Sequence, residues 1–290
     1  SFADHSRRLN ERVRQEALEV AKSLNDIGVT PVFMKGGAHL LSGLYRDMAQ
    51  RQMADLDILV PADRIDDSVT ALAARGITPF NDYEHPRSHH HRPLGRADLP
   101  VPIELHREVL AFPYGRILTA DEMLTSAMPL EVEETRVAVP SPTCAMIHSI
   151  AHAQRGDHAC LFGRIDLRGL LDIALIAEAH GDALDWHRID HCLMRKGGRT
   201  AVKFGLRCAR QLLGADVPET ASTGAVSWLL YRRALYQAEN PKFLSLSVRL
   251  LQPWTLLVRE LSDSTLRRRL VRNMIDPDWW KRHVAMLAGR

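Results

Sequence analysis

The stretch Met53-Ala54-Asp55-Leu56-Asp57-Ile58-Leu59-Val60 decides how this chain is read. Two carboxylates two positions apart open an apolar, β-branched run, the composition of a buried strand. Successive strand side chains alternate between faces, so Asp55 and Asp57 share one, roughly 6–7 Å apart along the backbone. A hard divalent cation needs converging oxygens, and Asp-x-Asp on a rigid strand supplies two. Upstream, Val32-Phe33-Met34-Lys35-Gly36-Gly37 reads as a short strand running into a glycine turn and then a helix. A helix start of that kind presents free backbone N–H groups to an anion. A cation site and a phosphate site so close together imply chemistry on a nucleotide.

Around this centre the N-terminal half alternates helix and strand. Residues 6–27 form an amphipathic pattern closed by Gly28, followed by a strand over Pro31–Lys35 and a helix over Ala38–Tyr45. The Asp-bearing strand stops at Pro61, and Asp63 is the expected N-cap of a helix over 63–75 that Gly76 ends. Extended segments follow at 77–80, 87–94 and 101–107, the last two antiparallel about the turn Gly95-Arg96-Ala97-Asp98. A short helix at 120–127 and a hairpin at 129–139 complete this half. At Pro140-Ser141-Pro142 the character changes, with Ser141 as N-cap and Pro142 at the first helical position. Helices are expected at 142–155, 166–180, 185–196, 198–213, 222–238, 243–260 and 264–287. The chain is therefore read as α+β, with a small mixed sheet and flanking helices over 1–140 and an all-α unit over 141–290.

Composition narrows the class. The 290 residues are 46% hydrophobic and 25% charged, as in a soluble globular protein. A net charge of +3 is too small to imply nucleic-acid binding. No apolar run approaches the ~20 residues that span a bilayer, and the N-terminus lacks the apolar stretch of a signal peptide. The expectation is a cytoplasmic protein with no membrane partner. Its four cysteines, at 144, 160, 192 and 208, form no Cys-x-x-Cys pair and read as reduced core thiols.

Nucleotidyl transfer through a two-metal site needs a third carboxylate from a neighbouring strand. Val101-Pro102-Ile103-Glu104-Leu105-His106 offers Glu104, with His106 on the same face and Ile103 and Leu105 on the other. Met34-Lys35-Gly36-Gly37-Ala38, Leu44-Tyr45, Arg51-x-Met53-x-Asp55-Leu56-Asp57 and Ile103-Glu104-Leu105-His106 together resemble the DNA polymerase β-type nucleotidyltransferase superfamily. More narrowly they resemble its uncharacterised bacterial branch, and the likeness extends through Ala145–His152 and Arg164–Asp172 to cover roughly residues 30–175. It implies a nucleotidyltransferase core in which Asp55, Asp57 and Glu104 bind Mg²⁺, with Mn²⁺ as the substitute ion, and perform the catalysis. It also implies that Gly36 and Gly37 touch the triphosphate of an NTP substrate. Lys35, Arg51, His106 and Arg168 join them as nucleotide-binding candidates. The sequence departs from the superfamily in having Gly-Gly where Gly-Ser is usual, and from the branch in having Glu104 where Asp is usual.

The activity expected is transfer of a nucleoside monophosphate from an NTP to a hydroxyl or phosphate acceptor, releasing pyrophosphate. Its unknown acceptor is a small molecule, sugar, peptide or protein ahead of nucleic acid. Two other readings compete: a catalytically degenerate nucleotide-binding scaffold, and a toxin-like transferase acting on tRNA or protein. The latter would use the basic run Leu266-Arg267-Arg268-Arg269-Leu270-Val271-Arg272, which reads more simply as a solvated helix face. Lys281-Arg282 adds charge further on, and Trp279-Trp280 reads as packing on the helical core. His89-His90-His91 reads as solvated residues of an edge strand, since neighbours in a strand cannot all face one ion. His148 and His152, one helical turn apart, read as packing or as a substrate contact at the domain interface. Arg164, Arg168 and Asp172 read as an ion network on one helix face, with Arg168 reaching the cleft as the alternative. Arg51 is expected to pair with Asp55 or Asp57 in the absence of nucleotide.

Overall fold

A computed structural model of the chain describes residues 1–80, 88–111, 114–156, 158–193 and 198–262. The expected helix at 264–287, with Arg267–Arg272, Trp279-Trp280 and Lys281-Arg282, lies outside the described residues, as do the ends of two segments at 87 and 194–196. Helix α1 (Phe2–Asp26) starts in a reciprocal cap between Ser1 and Asp4 and ends where Gly28 turns with φ 76°. Then come β1 (Val32–Phe33), α2 (Lys35–Ser42), β2 (Leu56–Leu59), α3 (Ile65–Ala73), β3 (Thr78–Pro79), β4 (Leu94–Gly95), β5 (Ile103–His106) and α4 (Ala120–Ser126). The hairpin is β6 (Met128–Val132) and β7 (Thr135–Val139). The helical half runs through α5 (Pro142–Ala151), α6 (Ala159–Phe162), α7 (Leu167–His180), α8 (Trp186–Leu193), α9 (Arg199–Leu213), α10 (Glu219–Ser222), α11 (Ala225–Glu239) and α12 (Pro241–Ser262).

Among the described residues the strands form one mixed sheet in the order β3-β4-β5-β2-β1-β7-β6. β2 runs parallel to β5 and β1 parallel to β7, while the remaining pairs are antiparallel. Strand alternation sorts the apolar residues into two cores. Leu56, Ile58, Ile103, Leu105 and Phe33 pack with Val13, Val20 and Leu24 of α1. Leu59, Val32 and Ala138 pack on the opposite face with Ile147 and Ile150 of α5, Ile173 and Ile176 of α7, and Phe204 of α9. β2 thus sends Leu56 and Ile58 toward α1, and Asp57 and Leu59 toward the helical half. No helix among the described residues is long and apolar enough to cross a membrane, and all four cysteines are free.

Local chemistry explains where the elements differ from expectation. Asp63 is not an N-cap: Pro61 precedes a short 3₁₀ turn (Ala62–Arg64), with Asp63 inside it, and α3 begins only at Ile65. The helix expected over 142–155 is α-helical to Ala151 and then widens into a π-helical turn at His152–Gly156. Such turns re-aim side chains and are frequent beside functional sites. α2 begins at Lys35, three residues earlier than expected, so both glycines lie in its first turn and are buried. A Cβ on Gly36 would run into Met53 Sδ, and one on Gly37 would come within 2.9 Å of Leu56 Cδ1. Close packing of α2 on the segment leading into β2 therefore accounts for the Gly-Gly pair.

A buried ion pair ties that segment to the helical half. Arg51 grips Asp172 of α7 with two N–H groups, Nε to Oδ1 at 3.0 Å and Nη2 to Oδ2 at 3.2 Å. Tyr45 donates its hydroxyl to the same Oδ1. On the other side Asn10 of α1 donates to the carbonyls of Met48 and Arg51. Removing one partner of a buried pair strands the other charge, at a cost of about 3–5 kcal/mol. Asp172→Ala should therefore lower the urea-unfolding free energy by about 3–5 kcal/mol, and Tyr45→Phe by about 1 kcal/mol; a loss under ~1 kcal/mol for Asp172→Ala would show the tie to be inert.

Candidate active site

The parallel register of β2 and β5 sets Asp57 opposite Glu104 and Leu59 opposite His106. Residues 47 positions apart in sequence thereby share one face of the sheet. Asp57 is buried, and its Oδ1 accepts from His106 Nε2 at 2.8 Å and from Lys35 Nζ at 3.0 Å. His106 Nε2 is also 3.6 Å from Glu104 Oε2. One ligand atom each from Asp57, Glu104 and His106 lies within 4.8 Å of the others, the converging set found among the described residues.

Charge explains why these groups tolerate burial. Burial alone would raise the Asp57 carboxyl, but the Lys35 ammonium and His106 hold it well below the usual carboxylate range. The nearby His106 imidazole likewise outweighs burial at Glu104 and lowers it. His106 and Lys35 respond in kind: burial disfavours their charged forms, yet Asp57 and its acidic neighbours push both upward. Lys35 reaches Asp57 from a strained backbone at φ 47°, in the left-handed region that favours glycine.

Asp55 stands one residue ahead of β2, half-buried and outside the converging set. Burial and then repulsion from Asp57 push its carboxyl upward. It lines a cleft of about 100 Å³ together with Lys35, Arg51, His152, Arg168 and Asp172. The structure thus brings Asp57, His106 and Lys35 into hydrogen-bond contact with Glu104 3.6 Å from His106, and sets Asp55 and Arg168 on the adjoining wall. Arg51 pairs with Asp172, not with Asp55 or Asp57. The expected ion network on α7 gives way to this pairing: Arg164 precedes the helix, and Asp172 turns inward to the Arg51 guanidinium and the Tyr45 hydroxyl.

The histidines differ most from the sequence reading. His89, His90 and His91 are not solvated: His91 is buried and the other two half-buried. His90 bridges His106 across the sheet, with its Nε2 3.8 Å from Glu104 Oε2, and the His89 ring lies 5.1 Å from that of His106. Burial, with His106 and His90 nearby, drops His89 to about 3. A larger cavity of about 860 Å³ borders this cluster through His89 and continues past Arg107, Arg116, Glu108 and Asp121. His148 is buried on α5 with no hydrogen-bond partner for its Nε2 among the described residues, and burial keeps it well below its ordinary value. Its ring centroid is 6.2 Å from that of His152, and neither belongs to the converging set.

A pH dependence follows from His106. It holds its proton more tightly folded than unfolded, so its contribution is complete below the unfolded value of about 6.5 and fades as pH rises through the raised folded value. In cation-free protein, urea titrations between about pH 6 and 9 should show wild type losing stability relative to His106→Gln. Parallel pH profiles for the two proteins would contradict the charged pairing.

No curated protein sequence matches the chain. Among solved structures it is similar to the solution structure of the antibiotic-resistance factor ANT(2'')-Ia, at 9% identity and a TM-score of 0.43, over 63% of this chain and 88% of that one. A family model described as uncharacterised nucleotidyltransferase matches residues 3–214. With well over half its length matched, the chain belongs to this nucleotidyltransferase family and is a transferase enzyme.

Proposed function

We propose that the chain is a divalent-cation-dependent nucleotidyltransferase of the bacterial branch its motifs resemble, working in the cytoplasm. It moves a nucleoside monophosphate from an NTP to a hydroxyl or phosphate acceptor. The observation that carries the reading is the pairing of Asp57 with Glu104 across parallel strands, beside Lys35 and a basic cleft. The residues fit a cation: two carboxylates and an imidazole converge on a face where each is already charge-compensated. Mg²⁺ is the ion that the resemblance implies, with Mn²⁺ the alternative. When bound, such an ion polarises the α-phosphate and neutralises charge on the leaving pyrophosphate.

This chain's own residues do the rest. Asp57 and Glu104 hold the cation, and Asp55 adds a third negative charge from the cleft wall. Lys35 and Arg168, both lining that cleft, face the phosphates, and Gly36 and Gly37 let α2 approach closely behind them. The acceptor oxygen then forms a bond to the α-phosphorus as the bond to pyrophosphate breaks. The roomier cavity beside His89 offers the acceptor space, and the small net charge favours a small molecule, sugar, peptide or protein over nucleic acid. We read residues 1–140 as the transferase unit and 141–290 as the unit that closes over it.

A second reading, a degenerate nucleotide-binding scaffold, draws on the engagement of Asp57 by both Lys35 and His106. Labelled NTPs offered with panels of these acceptors separate the two. Cation-dependent label transfer with stoichiometric pyrophosphate release is expected, reduced ~10²–10³-fold by Asp55→Asn or Glu104→Gln with unchanged circular dichroism. NTP binding indifferent to divalent cations, with no pyrophosphate across the panels, would establish the scaffold instead.

A further inference from the structure

The donor set at this site is not the one Mg²⁺ prefers. Mg²⁺ is hard, seeks an octahedron of oxygens and keeps several waters, whereas an imidazole ligand favours first-row transition ions. Asp57 and Glu104 supply oxygens, but the third converging atom is His106 Nε2, while the oxygens of Asp55 stand apart. Neighbouring ligands of a small six-coordinate ion are about 3 Å apart. Asp57 Oδ1 to His106 Nε2 is 2.8 Å and His106 Nε2 to Glu104 Oε2 is 3.6 Å, close to that spacing while a proton and the Lys35 ammonium, 3.0 Å from the same Oδ1, stand where an ion would replace them.

The surroundings of His106 are those of an oriented ligand. Its ring is buried, fixed in β5 opposite Leu59, and flanked by the rings of His89 and His90. Its second nitrogen, Nδ1, is 3.4 Å from the Glu108 carbonyl. A backbone carbonyl near Nδ1 can keep a proton there when an ion displaces the one that Nε2 now shares with Asp57, the arrangement that hydrogen-bonding partners impose on metal-binding histidines. His90, the rival imidazole, lies farther from Glu104 at 3.8 Å, and its own Nδ1 faces the His91 carbonyl.

We infer that the cation held by Asp57 and Glu104 is a first-row transition ion with His106 Nε2 as an inner ligand, for which Mn²⁺ is the spectroscopic probe, so that Mg²⁺ is not the preferred metal. This rests on the cation-dependent reading above and goes beyond it in assigning the ion class and the third ligand. Calorimetry with Mn²⁺ and with Mg²⁺, each with and without a non-hydrolysable NTP, measures the preference. Spin-echo spectroscopy of bound Mn²⁺ detects a coordinated imidazole nitrogen directly, without any turnover.

Wild type should bind Mn²⁺ at least ~30-fold more tightly than Mg²⁺ and show the nitrogen coupling. His106→Gln should erase the coupling and shrink the Mn²⁺/Mg²⁺ ratio about tenfold, while His90→Gln keeps both. Should His106→Gln fail to fold, wild type containing ¹⁵N-histidine, read together with His90→Gln, still decides whether an imidazole other than His90 is bound. Mn²⁺ bound through Asp57 without nitrogen coupling, or coupling lost in His90→Gln, overturns the inference and leaves the transferase reading standing. No cation bound by wild type, with or without nucleotide, defeats both readings.

Discussion

Asp57 carries a negative charge into a sheet face that α5 and α7 cover, and the surrounding structure answers that charge. An isolated carboxylate so placed would cost several kcal/mol or take up a proton. It is instead met by an ammonium and an imidazole, on Lys35 from the start of α2 and His106 from β5. Each partner is itself constrained: Lys35 adopts a left-handed backbone to reach inward, and His106 is oriented by its register opposite Leu59 and by the Glu108 carbonyl. The site is thus a compact set of compensated charges. Its three ligand atoms converge because strand pairing gives their side chains one direction.

The same logic organises the residues behind the site. The segment from Met48 to Leu56 has little regular structure, yet it must deliver Asp55 and Asp57 accurately. Three contacts hold it: Asn10 of α1 caps its carbonyls, α2 packs on Met53 and Leu56 through two glycines, and Arg51 anchors it to Asp172 of α7. Because Asp172 also takes the Tyr45 hydroxyl, one carboxylate on the helical half secures both ends of the 45–51 stretch. The walls of the Lys35–Arg168 cleft are consequently fixed relative to β2 and β5, which suits a transferase that must align two substrates.

Much of this was legible in the sequence, for identifiable reasons. Period-2 alternation in Asp57-Ile58-Leu59 and in Ile103-Glu104-Leu105 gave the strands and their faces, and Pro61, Gly28 and Pro142 punctuated the elements where their backbone preferences require. The glycine pair was noticed, but its packing on Met53 and Leu56 was hidden, because close approach between elements leaves no local signature. The histidine triplet at 89–91 was misjudged as solvated because local alternation cannot reveal which strand lies alongside. Pairing of His90 with His106 draws the triplet inward and places it against the acidic cluster. Arg51 was visible as a cation near two acids, but the nearest acid in sequence was not the one it met in space.

The division between the two levels is physical. The order of side chains along single strands determined that acidic oxygens and His106 would sit on polar positions of an otherwise apolar sheet, since the pleat leaves no other choice. Only the tertiary structure decided which of those positions converge. Pairing β2 with β5 joined Asp57 to Glu104 and His106, while Asp55, ahead of the strand, was left on the cleft wall. Docking α7 supplied Asp172 to Arg51, a pairing that spans 121 residues and that depends on buried surface meeting across the fold, where no local propensity operates.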